Sequence, residues 1–520
     1  QQRLTTISLF LTAIYTRLKE HKDEMSEDDE DVLPSLRKSL KSKNSPNEMK
    51  LVPQVQNYNL DDFNHLMNGV ALRKASASKH PYYAQRKIAR CYNYFLKRID
   101  KEIESLNDES VVDFLLGKYN KVKQAMLVKI EVSSHSDAYV LFESLNNRGT
   151  PLTAIDLMKN LIMAKAEGNN LTIDDCFNRW QTLLGNLSED YSIQERFFRQ
   201  YYNAFKHRLN EPFQSDADRK KDPLGVVATR SNLLNIFETL INKDLPSFLN
   251  DILQCGQIYS WLILQDTIEN PYRKALEDLD HIQGAPSYLL LMYLIRNKEE
   301  FAVSEEQINL IIRLLAKYFV RRNITDYPNT RDLTRIFMDI ISKLEEAQAT
   351  GGKVVSIIID ILSTPTNCAS DEQFRRSLEG DVYKDNVGAT RYILCKLAEA
   401  AMTQETWTDL WRRTDKKVFV WTIEHIFPEG QNIPESWVNM IADGDKELAK
   451  QYLEEYTHKI GNLTITGYNS TLGNKSFEEK CDRKSKDGQR FIGYKNGLDI
   501  NREIATMDKW TVDDIKTRTA

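Results

Sequence analysis

The sequence predicts a mainly α, multidomain protein that ends in a small mixed α+β segment, and three observations carry this. Apolar residues recur at the i, i+3, i+4, i+7 spacing of helices over most of the 520 residues. Runs rich in β-branched and aromatic residues are few and short, the clearest following Lys416. The length suits two to four domains of ~100–200 residues. No repeat of fixed period is visible, so the helical middle reads as a bundle rather than a solenoid.

The elements follow in order. Leu4, Ile7, Leu11, Ile14, Tyr15 and Leu18 form one apolar stripe, predicting a helix over 4–19. Residues 21–48 are an acidic block followed by a Lys/Ser/Pro/Asn-rich one, expected to be a solvated loop. A strand over 50–55, a helix over 61–67 and a helix over 82–106 follow. Residues 125–132 read as β, and Gly149-Thr150-Pro151 as a turn before a helix capped by Thr153 or Asp156. Helical spacing then runs from 173 to about 401, including 234–241, 308–319 and 354–362. Within it, 196–202 and 317–323 alternate cations with aromatics, either as a binding surface or, preferably, as ordinary helices with aromatic cores. The run KKVFVWTI reads as a strand ending at Glu424-His425; a helix over 446–456, a strand over 462–466 and a helix over 469–480 complete the pattern. The expected domains are 1–165, 166–400 and 401–520.

Composition narrows the function. A net charge of -5 excludes a general polycation, so any nucleic-acid site is local. Six scattered cysteines without a CxxC pair argue against structural zinc and disulfides and favour a cytoplasmic protein. No apolar run approaches the ~20 residues of a membrane span. The chain begins inside a helical pattern with no initiator Met, which reads as an upstream part lying outside it.

Strand, long loop, strand, helix is the ββα order on which metal-dependent His nucleases place their groups. Phosphodiester hydrolysis needs a base, a cation and help for the leaving oxygen. His425 can be the base. Glu424 and Asn469 can hold a hard divalent ion through oxygen, Mg²⁺ or Mn²⁺. Asn462 can tie the loop to the strand and fix the imidazole, and Lys480 can approach the scissile phosphate. Between Tyr456 and Gly497 there are eight Lys/Arg against four acids, with Lys475, Arg483 and Lys484 among the candidate DNA contacts.

These residues also carry a resemblance. The string IEHIFP followed by HKIGNLTITGYNSTLGNKSFEEK resembles the C-terminal nuclease domain of GmrSD-type modification-dependent restriction enzymes, a divergent HNH (His-Me finger) branch. It implies that His425 is the general base, that Glu424 stands where the Asp of Asp-His is usual, and that Asn469 is the second metal ligand. His458 and Asn474 fall on recurrent family positions, expected on the DNA side. Gln1-Gln2-Arg3-Leu4-Thr5-Thr6 resembles the end of the DGQQR motif of the other GmrSD domain, which has a ParB/sulfiredoxin-like nucleotide-binding core. The stretch FESLNNRGTPLTAIDLMKN is similar to a second segment of that domain, which implies ligand contacts at Asn146, Asn147, Arg148 and Lys159 beside Gln1, Gln2 and Arg3. Arg3 at a helix start suits an anion. Arg148 could equally pair with Asp156.

The resemblance implies an endonuclease of phage defence that restricts modified or phosphorothioated double-stranded DNA, with NTP (GTP, ATP or CTP) binding and hydrolysis regulating cleavage, no membrane association and a possible homo-oligomer. Two rivals stand beside it. One is a nickase or RNase acting on unmodified nucleic acid. The other is an NTP-gated sensor with a vestigial nuclease centre.

Overall fold

The computed structural model describes residues 2–45, 47–53, 58–74, 83–106, 110–126, 152–209, 222–265, 269–415 and 418–520, the side chain of Gln2 apart. The chain divides into two compact units, Gln1–Ala138 and Tyr139–Ala520. Both are mainly α, and among the described residues there is one two-stranded sheet.

The first unit contains α1 (Gln2–Glu20), α2 (Val32–Leu40), α3 (Asn59–Gly69), α4 (Lys87–Ile103) and α5 (Val111–Lys123). Of the stripe expected for the first helix, Ile14, Tyr15 and Leu18 are buried together with Leu9 and Ala13, and the helix packs on α4, α2 and α5, whereas Leu4 is exposed and Ile7 and Leu11 are half-buried. Arg17 fixes the α1–α4 pair, with Nε and Nη2 donating to the two oxygens of Asp100 at 2.7 and 2.8 Å. Asp62, 1% exposed, accepts a two-point bond from Arg86. Charged groups buried in this way are tolerated because each donor and acceptor is matched.

Two expectations fail in this unit. Residues 21–48 do not form a loop throughout: α2 lies within them, and Leu36 and Leu40 are buried. Val32, Leu33, Leu36 and Leu40 share one helical face, and that stripe outweighs the surrounding charge. The strand expected over 50–55 is absent from its described part, 50–53, and only an isolated bridge joins Lys41 to Met49. Residues 127–151 lie outside the described ones, as does most of the β stretch read over 125–132.

The second unit opens with α6 (Ala154–Lys165), whose N-cap Thr153 forms a capping box with Asp156. Next come α7 (Ile173–Asn186), α8 (Tyr191–Leu209), α9 (Leu233–Lys243), α10 (Leu245–Leu262), α11 (Arg273–His281), α12 (Tyr288–Arg296), α13 (Glu305–Thr325), α14 (Thr330–Glu346), α15 (Gly352–Leu362) and α16 (Asp371–Leu378). Helix α12 is apolar all round, and its residues 288–295 are all buried, as such a helix requires. The aromatics of α8, Phe197, Phe198, Tyr201 and Tyr202, are each 0% exposed, so they are core. On α13, Tyr318 and Phe319 are buried, while Arg321 and Arg322 bond to Asp371 and Asp326. Both cation-aromatic runs are therefore structural.

A short helix α17 (Val382–Asp385) and α18 (Val387–Ala400) lead to β1 (Thr422–His425), α19 (Glu435–Ala442), α20 (Lys446–Tyr456), β2 (Leu463–Thr466), α21 (Asn469–Leu472), α22 (Phe477–Asp482) and α23 (Val512–Thr519). The first strand is shorter than the aromatic run suggested. The helix expected over 469–480 is split at Gly473, whose φ of +38° breaks it. The order strand, helix, strand, helix is as the sequence predicts, while α19 is a further helix between the strands that the sequence reading did not include.

Candidate active site

The strands pair antiparallel in the register Thr422↔Thr466, Ile423↔Ile465, Glu424↔Thr464, His425↔Leu463. A strand sends alternate side chains to opposite faces. Ile423 joins Leu463 and Ile465 in an apolar cluster with Val382, Leu394 and Leu410, on the side of α17 and α18. His425 shares that face, its ring edge-on to Tyr383 of α17 with centroids 4.6 Å apart. Glu424 shares the other face with Thr464, against α22. The two neighbours in sequence therefore face opposite sides of the sheet.

On its own face Glu424 is 2% exposed and pairs with Lys480, Nζ to Oε1 2.6 Å. The same ammonium donates to the carbonyls of His425 at 2.7 Å and Ile426 at 3.1 Å, so three backbone and side-chain acceptors consume its three hydrogens. Burial pushes the Glu424 carboxyl up and the Lys480 ammonium down, and each charge opposes the shift of the other. Lys480, 0% exposed, clamps the end of β1 instead of reaching out to a phosphate.

Asn462, 0% exposed, is a second clamp. Its oxygen accepts from the Phe427 N–H at 2.8 Å and from Trp510 Nε1 at 3.2 Å, and its nitrogen donates to the carbonyls of Phe427 and Thr457. This holds the turn after His425 in one conformation. Gly461 precedes it because α23 packs on it, and a Cβ there would collide with the Ile515 carbonyl and Thr519. Arg518 of α23 then donates to the carbonyls of Gly461 and Leu463, each at 2.7 Å. The GNLT string thus records close backbone packing around the second strand.

On the opposite face, His425, Glu429 and His458 converge, each offering a ligand atom within 4.8 Å of the others. His425 Nε2 and His458 Nδ1 are buried without a hydrogen-bond partner among the described residues. Glu429 Oε2 stands 3.7 Å from His425 Nε2 and is half exposed. Tyr383 stacks on His458, centroids 5.5 Å apart and planes 12° from parallel, and meets His425 edge-on. Burial pushes the His425 imidazole down to about 3, with the charges of His458 and Lys480 adding to the effect, so the ring is neutral and its nitrogen lone pair is available.

The other expected residues are dispersed. Asn469 starts α21 and donates from its amide nitrogen to the Ile423 carbonyl at 2.6 Å, so its amide oxygen is the atom that would ligate a cation. Asn474 is exposed and packs against Gly430, beside Glu429. Lys475 pairs with Glu479 at 3.3 Å. Arg483 and Lys484 are exposed on a loop closed by a bridge between Lys484 and Phe491. In the first unit Arg3 is exposed at the start of α1. Gln1, Asn146, Asn147 and Arg148 lie outside the described residues, as does the side chain of Gln2. Lys159 lies over the Phe177 ring at 5.2 Å. Sequence reading missed Glu429 and Tyr383. A carboxylate four residues beyond His425 was a signal for the first; nothing local marked the second.

Comparison with known proteins finds matches at both ends of the chain. Residues 1–163 match the GmrSD restriction endonuclease N-terminal domain, and residues 368–520 match the GmrSD restriction endonucleases C-terminal domain. The class is that of restriction endonucleases, hydrolases whose substrate is DNA. Within it the chain belongs to the GmrSD family, carrying both of the family's domains, with the strands, the clamps and Tyr383 all inside the second match. No curated protein matches the chain. Among the described residues no helix is long and apolar enough to cross a membrane.

Proposed function

We propose that the chain cleaves modified double-stranded DNA at a divalent metal centre formed by His425, Glu429 and His458. The observation that carries this is the pair of buried, unpartnered imidazole nitrogens facing a carboxylate. Buried polar atoms are normally satisfied, and two imidazoles with one carboxylate are a donor set for a divalent ion, Mn²⁺ or Zn²⁺ before Mg²⁺. When bound, the ion supplies positive charge against the phosphorane-like transition state and acidifies water. The residues do the rest. His425 presents a neutral nitrogen over the physiological range, as a metal donor must. Asn462 and Lys480 hold the turn that aims it, and Tyr383 fixes the rings from behind. Glu424 acts in this reading as the partner of Lys480, and Asn469 offers one oxygen beside the strand. Arg483, Lys484, Lys486 and Arg490 are exposed and have no carboxylate partner among the described residues, which suits a phosphate-tracking edge.

HNH-type chemistry leaving a 5′-phosphate, phage defence, and control by NTP binding and hydrolysis in the N-terminal domain belong to the same proposal, supported by the two family matches. The scattered free cysteines support a cytoplasmic setting. The test is cleavage of phosphorothioated, glucosylated and plain plasmids with each metal, with and without NTP, alongside equilibrium dialysis of Mn²⁺. His458→Ala and Glu429→Gln should each lower metal affinity at least tenfold and lower cleavage with it. Full metal binding in both variants would dismiss the centre, and equal cutting of all plasmids would dismiss the modified-DNA reading.

A further inference from the structure

The first unit holds a cavity of about 1030 Å³ between the C-terminal half of α1, the turns after it and α2. It is near the upper end of the range typical of small-molecule sites. Six cations line it, Lys19, Lys22, Arg37, Lys38, Lys41 and Lys43, against one acid, Glu30. The acidic run over 26–31 contributes nothing else to the lining. Lys19, Lys22, Lys38, Lys41 and Lys43 have no carboxylate within ion-pair distance among the described residues. Arg37 donates to the Ala71 carbonyl at 3.2 Å, which fixes the guanidinium without neutralising it. A remaining wall is apolar, made of Tyr15, Met25, Leu33 and Pro34.

Like charges gathered around a concavity repel one another and focus a positive potential into it. Partial burial, with the charges of Arg37 in the lining and Lys74 outside it adding to the effect, pushes the Lys41 ammonium below its ordinary value. A bound polyanion removes this cost. Arg3 lies on the same helix twelve residues before Tyr15, about 18 Å away along the axis, so the cavity is separate from the start of α1.

We propose that this cavity binds a compact polyphosphate, a small anion of about four or five negative charges that the lining's excess of cations neutralises. The phosphate chain meets the lysines, and the apolar wall is free to receive a base if the ligand is a nucleotide. A free inorganic polyphosphate and a nucleoside polyphosphate share this chemistry. The proposal stands independently of the nuclease reading.

The experiment is calorimetric titration of the whole chain with inorganic tripolyphosphate at ~0.15 M salt, where weak surface pairing is screened. Binding in the micromolar range at one site is expected. Lys38→Gln with Lys41→Gln should weaken it at least tenfold, and Arg3→Ala should change it less than twofold. Lys19 and Lys43 are both exposed, so Lys19→Gln with Lys43→Gln gives a second, fold-neutral pair with the same expected loss. ATP binding more tightly than tripolyphosphate in the same titration assigns the ligand to nucleoside polyphosphates, and ATP binding no more tightly assigns it to free polyphosphate. The proposal is overturned if tripolyphosphate does not bind, if binding ignores both lysine pairs or is lost in Arg3→Ala, or if a 20-base-pair duplex alone binds in a lysine-dependent way.

Discussion

Replacing Lys480 by Met isolates the role of Glu424. In the structure Lys480 Nζ bonds to a carboxylate oxygen at 2.6 Å and to two carbonyls, and both charged side chains are almost wholly buried. Removing one member of such a pair leaves an uncompensated buried charge and costs about 3–5 kcal/mol. Removing both leaves no buried charge, so Glu424→Gln with Lys480→Met should recover at least half of that loss. The expected coupling energy is about 2 kcal/mol or more, read from urea unfolding midpoints of wild type, both single variants and the double variant. The pH dependence has a definite sign. Without Lys480 the folded-state pKa of Glu424 lies above the unfolded value, so the folded state binds the extra proton, and the variant loses stability as pH rises from about 4.5 toward 7. Single-variant losses that add to within about 0.5 kcal/mol would refute the clamp. So would loss of Mn²⁺ binding in Glu424→Gln alone, which keeps the Lys480 bonds to the His425 and Ile426 carbonyls and would return Glu424 to the role of metal ligand.

Three further outcomes are expected. Gly461→Ala drives a Cβ into the backbone of α23, and should cost at least 1–3 kcal/mol, read from the urea midpoint; a loss under about 0.5 kcal/mol would show that α23 can move away. His281 stacks on Trp411 with centroids 3.7 Å apart, and burial pushes it down to about 4. Because the unfolded state binds the proton first, its contribution is present above about 6.5 and lost as pH falls from there toward 4. After allowance for its partial exposure this amounts to about 1–2 kcal/mol, and in His281→Gln that part of the pH slope should vanish. Tyr383→Phe should keep Mn²⁺ affinity within about threefold, whereas Tyr383→Ala, which frees both imidazoles, should lower it by 10–100-fold in equilibrium dialysis; equal affinities would mean the rings are positioned without Tyr383.

Much of the fold was legible because it depends on short-range pattern. The 3.6-residue stripes announced α1, α9, α13 and α15, and the Thr153-x-x-Asp156 cap announced the start of α6. The failures have local causes too. Charge density around residues 21–48 masked the stripe of α2, and a glycine in the left-handed region cut the helix read after Asn469 into two.

The sequence by itself determined the helical class, the strand-loop-strand order near the C-terminus, and the importance of the segment around His425, since each rests on residue type and spacing along the chain. Only the tertiary structure decided what that segment contacts. Strand alternation turned Glu424 toward Lys480 and His425 toward His458, and α17 brought in Tyr383 from 42 residues upstream in the chain. A residue's chemistry is written in its side chain, but its partners are set by packing between distant elements, which one-dimensional spacing does not encode.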